Sequence, residues 1–369
     1  MLKKVKWAVS VFTVIIAVLC FSPVIYSADF GTDELIDALP EESRTYMEEN
    51  DITPENNGFS NISVTDIIGD IINIAAENIE KPSKMFISLI GVILISSLFS
   101  ALRADGTNKS YDKALTLLSS LCITVIISVY LSESLTATAA VLSSSSGFML
   151  TYIPILGGVM AAEGQASSAT VFSSVMIVAI QLMAQATTGL LLPFLSSLLG
   201  ISAAGGLNPD LKLEKLTDGI KKAVTWALGL IMTLFIGVLS LQSSISASTD
   251  SIALKAARFA VSSSVPIVGG AVSDALATVK TSIQLLKSGI GSFGIVAGAT
   301  ILLPTLINTL IYKFFLFVAG IVGDIFGNER TSGMIKAGEN VMSIILAIIS
   351  CFFVFVTVST ALMLIICRS

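Results

Sequence analysis

Six long apolar runs dominate this chain, near residues 85–102, 114–131, 169–192, 223–241, 295–322 and 341–366. About 20 apolar residues suffice to cross the hydrocarbon of a bilayer. In lipid every backbone N–H and C=O needs an internal partner, so such runs fold as helices. The expected fold is all-α, a polytopic integral membrane protein with about six transmembrane helices. Composition agrees: 54% of the 369 residues are hydrophobic and 13% are charged. An ordinary soluble domain carries about 25% charged residues.

The same composition excludes several functions. Twenty-one Lys and Arg against 26 Asp and Glu leave a net charge of −5. Nucleic acid is therefore not an expected partner, because phosphate binding needs clustered cations. The chain has no histidine, which rules out Ser–His and Cys–His catalysis and removes the commonest metal ligand. Its four cysteines, Cys20, Cys122, Cys351 and Cys367, form no CxxC pair. They read as small apolar residues rather than a metal site or a disulfide framework. No cofactor and no catalytic residue are expected.

The N-terminus reads as a secretory signal. Lys3, Lys4 and Lys6 precede an apolar stretch from Trp7 to Phe21, and Pro23 breaks it before the small residues Ser27 and Ala28. Residues 1–27 are the expected signal peptide; an uncleaved anchor is the other reading. Residues 28–84 form an acidic segment, with Asp33, Glu34, Asp37, Glu41, Glu42, Glu48 and Glu49. Within it Ile67, Ile68, Ile71, Ile72, Ala75 and Ile79 recur at helical spacing. That predicts an amphipathic helix, packed either on its own segment or on a membrane or partner.

Exporting the acidic segment puts one set of connections in the cytoplasm. These carry Arg103, Lys109 and Lys113, then Lys212, Lys215, Lys221 and Lys222, then Arg330 and Lys336. The assignment follows the positive-inside tendency. The Ser- and Gly-rich connections 132–168 and 242–290 fall outside, and the lysines of the second sit uneasily there.

The transmembrane part, 85–369, repeats itself. Tyr152-Ile153-Pro154-Ile155-Leu156-Gly157-Gly158 resembles Ser264-Val265-Pro266-Ile267-Val268-Gly269-Gly270, 112 residues later. Leu191-Leu192-Pro193-Phe194-Leu195 resembles Leu302-Leu303-Pro304-Thr305-Leu306, 111 residues later. The expected units are tandem parallel helical hairpins over 85–168, 169–290 and 291–369. Proline breaks a helix and paired glycines permit turns. The Pro-Ile-x-Gly-Gly segments are thus either extracytoplasmic turns or re-entrant segments lining a polar path. The turn reading is simpler, because no charge closely accompanies Pro154 or Pro266. Pro154, Gly157, Gly158, Pro193, Pro266, Gly269, Gly270 and Pro304 are the candidate structural or path-lining residues.

Other motifs carry less. Gly289-Ile290-Gly291-Ser292-Phe293-Gly294 matches GxGxxG but opens an apolar run. A glycine-smoothed helix contact continued by Gly298 fits better than a dinucleotide site. Gln181 and Gln185 suit hydrogen bonding between helices, and Lys313 suits snorkelling or pairing. A pore component or scaffold agrees with this polar inventory. A secondary transporter for a small solute, the alternative, should show convergent charged groups at the midplane.

The signal, the acidic segment, the paired Pro-Ile-x-Gly-Gly segments and the Leu-Leu-Pro-x-Leu repeats together resemble the stage III sporulation protein AE family of endospore-forming Firmicutes. The resemblance implies a non-enzymatic membrane component of a secretion-like channel complex linking mother cell and forespore. It implies as partners the other stage III sporulation A-operon membrane proteins, a cytoplasmic ATPase and, indirectly, a forespore protein. It implies a place in the mother-cell membrane around the forespore and a need for the protein after engulfment.

Overall fold

A computed structural model describes residues 31–54, 64–101, 109–191, 193, 195–197, 215–238, 269–326 and 329–366. The expected signal peptide, Pro266 and most of the 242–290 connection lie outside the described residues. Two short helices, α1 (Thr32–Asp37) and α2 (Glu41–Glu49), are followed by α3 (Val64–Asn78), α4 (Glu80–Ala101) and α5 (Lys109–Ala162). Next come α6 (Ala166–Ala184), a π-helical turn (Gln185–Leu191) and α7 (Lys215–Val238). The last two are α8 (Gly269–Ile325) and α9 (Glu329–Ile366). The described residues contain no strand.

Six of these helices, α4 to α9, are long and apolar enough to cross a membrane. The protein is an all-α, polytopic membrane protein. The spine consists of α5, α8 and α9, with 54, 57 and 38 residues. At ~1.5 Å per residue their lengths are about 80, 85 and 57 Å, well beyond a hydrocarbon layer of about 30 Å. Between them the core is filled with side chains. Phe148, Tyr152, Phe293, Phe352 and Phe355 are each at most 1% exposed.

The turn or re-entrant segment expected at Pro154–Gly158 is instead the interior of α5. The Ser-rich stretch before it, expected as a connection, is helical too. Three of its hydroxyls bond back along the helix, Thr136 to the Ser132 carbonyl (3.0 Å), Thr138 to Ser134 (2.8 Å) and Ser146 to Leu142 (2.7 Å), whereas the buried Ser145 hydroxyl has no partner among the described residues. Such back-bonding lets serine and threonine sit inside a helix without leaving a buried hydroxyl open. The real turn comes later, at 163–165. There Gly164 adopts φ 91°, which glycine tolerates best, and Gln165 N–H donates to the Met160 carbonyl (3.0 Å). The unit boundaries expected at 168/169 and 290/291 fall inside α6 and α8.

The N-terminal segment folds on the upper flank of this spine. Leu35, Leu39, Met47 and Ile52 are buried, and Gly31 approaches Ile155 of α5. The amphipathic helix expected in this segment is α3. It packs on α8, and the Tyr46 hydroxyl of α2 donates to Asp70 (2.6 Å). Ile72 still stands 61% exposed.

Candidate functional site, close helix contacts and a charged collar

The first Pro-Ile-x-Gly-Gly copy divides by helical periodicity into two faces. Tyr152, Ile153, Leu156 and Gly157 point inward, whereas Pro154 and Gly158 lie on the exposed side of α5. A Cβ on Gly157 would stand 2.5 Å from Ser173 Oγ of α6, so glycine is what lets the two helices close. A Cβ on Gly158 would meet nothing within 4 Å. Tyr152 stacks on Phe148 (ring centroids 5.7 Å apart), and Phe148 meets Phe293 of α8 at 6.5 Å. The Tyr152 ring occupies the space that a Cβ on Gly294 would need. One turn further, a Cβ on Gly298 would lie 2.8 Å from Val356 Cγ1 of α9. The Gly294–Gly298 glycine contact expected from sequence is therefore present.

The described glycines of the second copy lie far from the first copy's contact with α8. Gly269 and Gly270 are the first residues of α8, about 24 residues before Gly294, which at ~1.5 Å each is roughly 36 Å along the helix. Pro304 lies half-buried inside unbroken α8, and Pro193 is exposed just beyond the π-helical turn. Gln181 and Gln185 sit on the exposed side of α6 and its continuation.

Sequence reading missed the second feature, a charged collar part-way along the bundle. Lys81 of α4 pairs with Glu133 of α5, and Lys84 pairs with Glu80 (2.6 Å). Lys336 of α9 pairs with Asp324 of α8 (2.9 Å), and Ser332 also donates to Asp324 (2.5 Å). Lys222 pairs with Asp218 on α7 (2.8 Å). Lys221 Nζ donates to Asn340 Oδ1 (3.2 Å), and Asn340 Nδ2 donates to Thr217 (3.3 Å). Asp218, Lys336 and Asn340 of this set line a cleft of about 260 Å³ together with Lys215, Phe317, Ile321 and Glu339. Glu133 inside an apolar helix and the basic connections at Lys221, Lys222 and Lys336 were the collar's sequence signals.

Residues 49–367 match the profile of the family described as stage III sporulation protein AE. The chain belongs to the stage III sporulation protein AE family. Over 161 residues it is 31% identical to the stage III sporulation protein AE of Bacillus subtilis (strain 168). That alignment spans 43% of this chain and 40% of the relative's length. No solved structure matches the chain. Membership in the family supports a role in sporulation. It also agrees with the sequence resemblance carried by Tyr152–Gly158 and the surroundings of Pro193 and Pro304.

Proposed function

We propose that this protein is a non-enzymatic membrane component of a secretion-like channel complex that links mother cell and forespore after engulfment. The observation that carries this reading is the family match over 49–367. In this proposal a signal at 1–27 exports the acidic segment, and the protein sits in the mother-cell membrane around the forespore. Its partners are the other stage III sporulation A-operon membrane proteins, with a separate cytoplasmic ATPase and, indirectly, a forespore protein.

The packed spine supports a scaffold over a solute carrier. Aromatic side chains fill the axis between α5, α8 and α9, where a carrier would need a polar midplane site. In this reading Gly157 is a packing residue. Pro154, Gly158 and Pro193 are surface positions available to neighbouring chains, and Gly269, Gly270 and Pro304 shape α8. The test is deletion of the gene, followed by counting heat-resistant spores and measuring vegetative growth. Spore formation should stop after engulfment while growth stays normal. A growth defect on a defined nutrient would instead point to the carrier. Tagged protein purified from sporulating cells should bring the operon's other membrane proteins with it.

A further inference from the structure

Side-chain contacts place the helices on one vertical scale set by α5. Helix α9 runs parallel to it: Thr124 meets Met334, Ile127 and Leu131 flank Gly338, and Ser134 meets Met342. Helix α8 runs antiparallel, with Tyr130 beside Tyr312 and Tyr152 against Gly294. Helix α4 starts level with Glu133 through Lys81 and descends, since Phe86 stacks on Phe315 just below Tyr312. Helix α7 starts near the same level, with Thr217 and Lys221 on Asn340, and rises until Phe235 meets Phe355. Helix α6 is higher still. Counted from the Gly157–Ser173 contact, Ala184 lies opposite about residue 146 of α5, roughly 20 Å above Glu133 at ~1.5 Å per residue.

Helices α4 and α6 therefore share no height, and α4 and α7 stand nearly end to end. The charge-free stretches 85–101 of α4 and 223–238 of α7 are about 26 and 24 Å long at ~1.5 Å per residue. Stacked, they exceed a hydrocarbon layer of about 30 Å. One flat bilayer cannot hold both.

Charge and surface chemistry decide between them. Helix α5 has 19 uncharged residues between Lys113 and Glu133, about 28 Å at ~1.5 Å per residue. The α4–α5 hairpin is thus bounded at both ends by charge at the spacing of a bilayer. Its outward residues Ile87, Leu94, Ile95, Leu98, Leu118 and Val125 are apolar and exposed. Half-buried Tyr130 sits at its upper rim, where membrane proteins concentrate aromatic residues. Above that rim the outer stripe of α5 turns small and polar, through Ser132, Glu133, Thr136, Ala140, Ser143 and Ser144, before Leu150. Helix α1, with its exposed acids, packs above the rim as well, where Gly31 lies beside Ile155, and Tyr46 ties α2 to Asp70 of α3. A bilayer around α6 and α7 would put those acids in lipid and the α4–α5 hairpin in water.

We propose that the bilayer encloses α4 and the 114–132 part of α5, that the α8–α9 turn enters it only part-way, and that the α6–α7 pair stands outside the hydrocarbon on the side of the acidic helices. The turn reaches about the level of residue 119 of α5, roughly 21 Å below Glu133 at ~1.5 Å per residue, and Asp324 beside it is paired with Lys336 and accepts a hydrogen bond from Ser332. The placement rests on the helix heights and on the charge and surface of the α4–α5 hairpin, and is independent of the sporulation role.

Single cysteines test it in the full-length protein with Cys20, Cys122, Cys351 and Cys367 replaced by serine. A membrane-impermeant maleimide is applied to intact protoplasts carrying Glu49→Cys, Ser110→Cys or Lys222→Cys. Six full crossings would put Ser110 and Lys222 on one side and Glu49 on the other. The expected result is that Glu49→Cys and Lys222→Cys react from the same side, and Ser110→Cys from the opposite one. Reaction of Ser110→Cys and Lys222→Cys from a common side overturns the placement. Lys222 is exposed, so its replacement leaves packing intact, and Lys215→Cys, about two turns earlier on the same helix, must give the same answer.

Discussion

The α4–α5 hairpin and the α6–α7 pair are nearly equal in hydropathy and unlike in surroundings. Mean hydropathy is 1.8 for α4 and 1.7 for α5, against 1.7 for α6 and 1.5 for α7. By that measure all four would cross a membrane. The first pair is closed at its upper end by Lys81 and Glu133 and flanked there by half-buried Tyr130. The second begins near the same charged level and extends away from it, to the height at which acidic α1 packs on α5. Apolar length shows that a helix avoids water. The height of its flanking charges shows whether it lies level with the lipid around α4 and α5.

The largest effect that separates the two pairs comes from adding charge. Leu94→Lys with Leu98→Lys places two ammonium groups on the outward face of α4. Each charge at the centre of a bilayer costs about 2.5–3.5 kcal/mol on insertion scales. Carbonate-resistant protein in the membrane fraction should fall to a small remnant. The matching pair Leu230→Lys and Leu234→Lys on α7 should leave that fraction near wild type. Equal losses from both pairs would merge the two regions into one lipid-facing belt.

A packing test comes next in size. Gly294→Val drives a branched side chain into Tyr152, which is 1% exposed and cannot swing away. Overpacking of this kind costs about 1–3 kcal/mol. The detergent-solubilised variant should therefore unfold at a lower temperature. Adding Tyr152→Ala should recover part of the loss, because the two sites share one contact. On α5, Gly157→Val should destabilise by a similar amount and Gly158→Val by almost nothing. Equal effects at 157 and 158 would mean that the inward and outward faces of that helix have been exchanged.

Much of this fold was legible in the sequence, because lipid leaves helices as the only answer to a long apolar run. All six runs found by length correspond to helices. The Gly294–Gly298 contact was legible too, since small residues four apart mark close helix approach. The 132–158 stretch was misread for a physical reason. Serine, proline and paired glycines signal a turn in water, whereas in a packed apolar bundle hydroxyls bond back to the helix and Gly157 admits a neighbour. The relative heights of the helices were not legible at all. They depend on contacts more than 100 residues apart, such as Lys221 with Asn340 and Thr124 with Met334.

The smallest expected effect concerns the rim between the two regions. Lys81 and Glu133 are joined across α4 and α5, yet their side chains are 66% and 49% exposed. Exposed ion pairs contribute about 0–1 kcal/mol, because water screens them and ordering two long side chains costs entropy. Lys81→Met and Glu133→Gln should each change unfolding temperature little, and a double-mutant cycle should return a coupling below about 1 kcal/mol. If the rim sits at the edge of hydrocarbon, the more revealing readout is depth rather than stability. Glu133→Gln removes one of the charges that hold α5 in register with the lipid surface. A nitroxide on Val129→Cys, one turn below, should then report an altered balance of collisions with oxygen, which prefers lipid, and a nickel chelate, which prefers water. An unchanged balance, together with a coupling of several kcal/mol, would assign the pair to a desolvated protein contact and move the edge of the bilayer elsewhere.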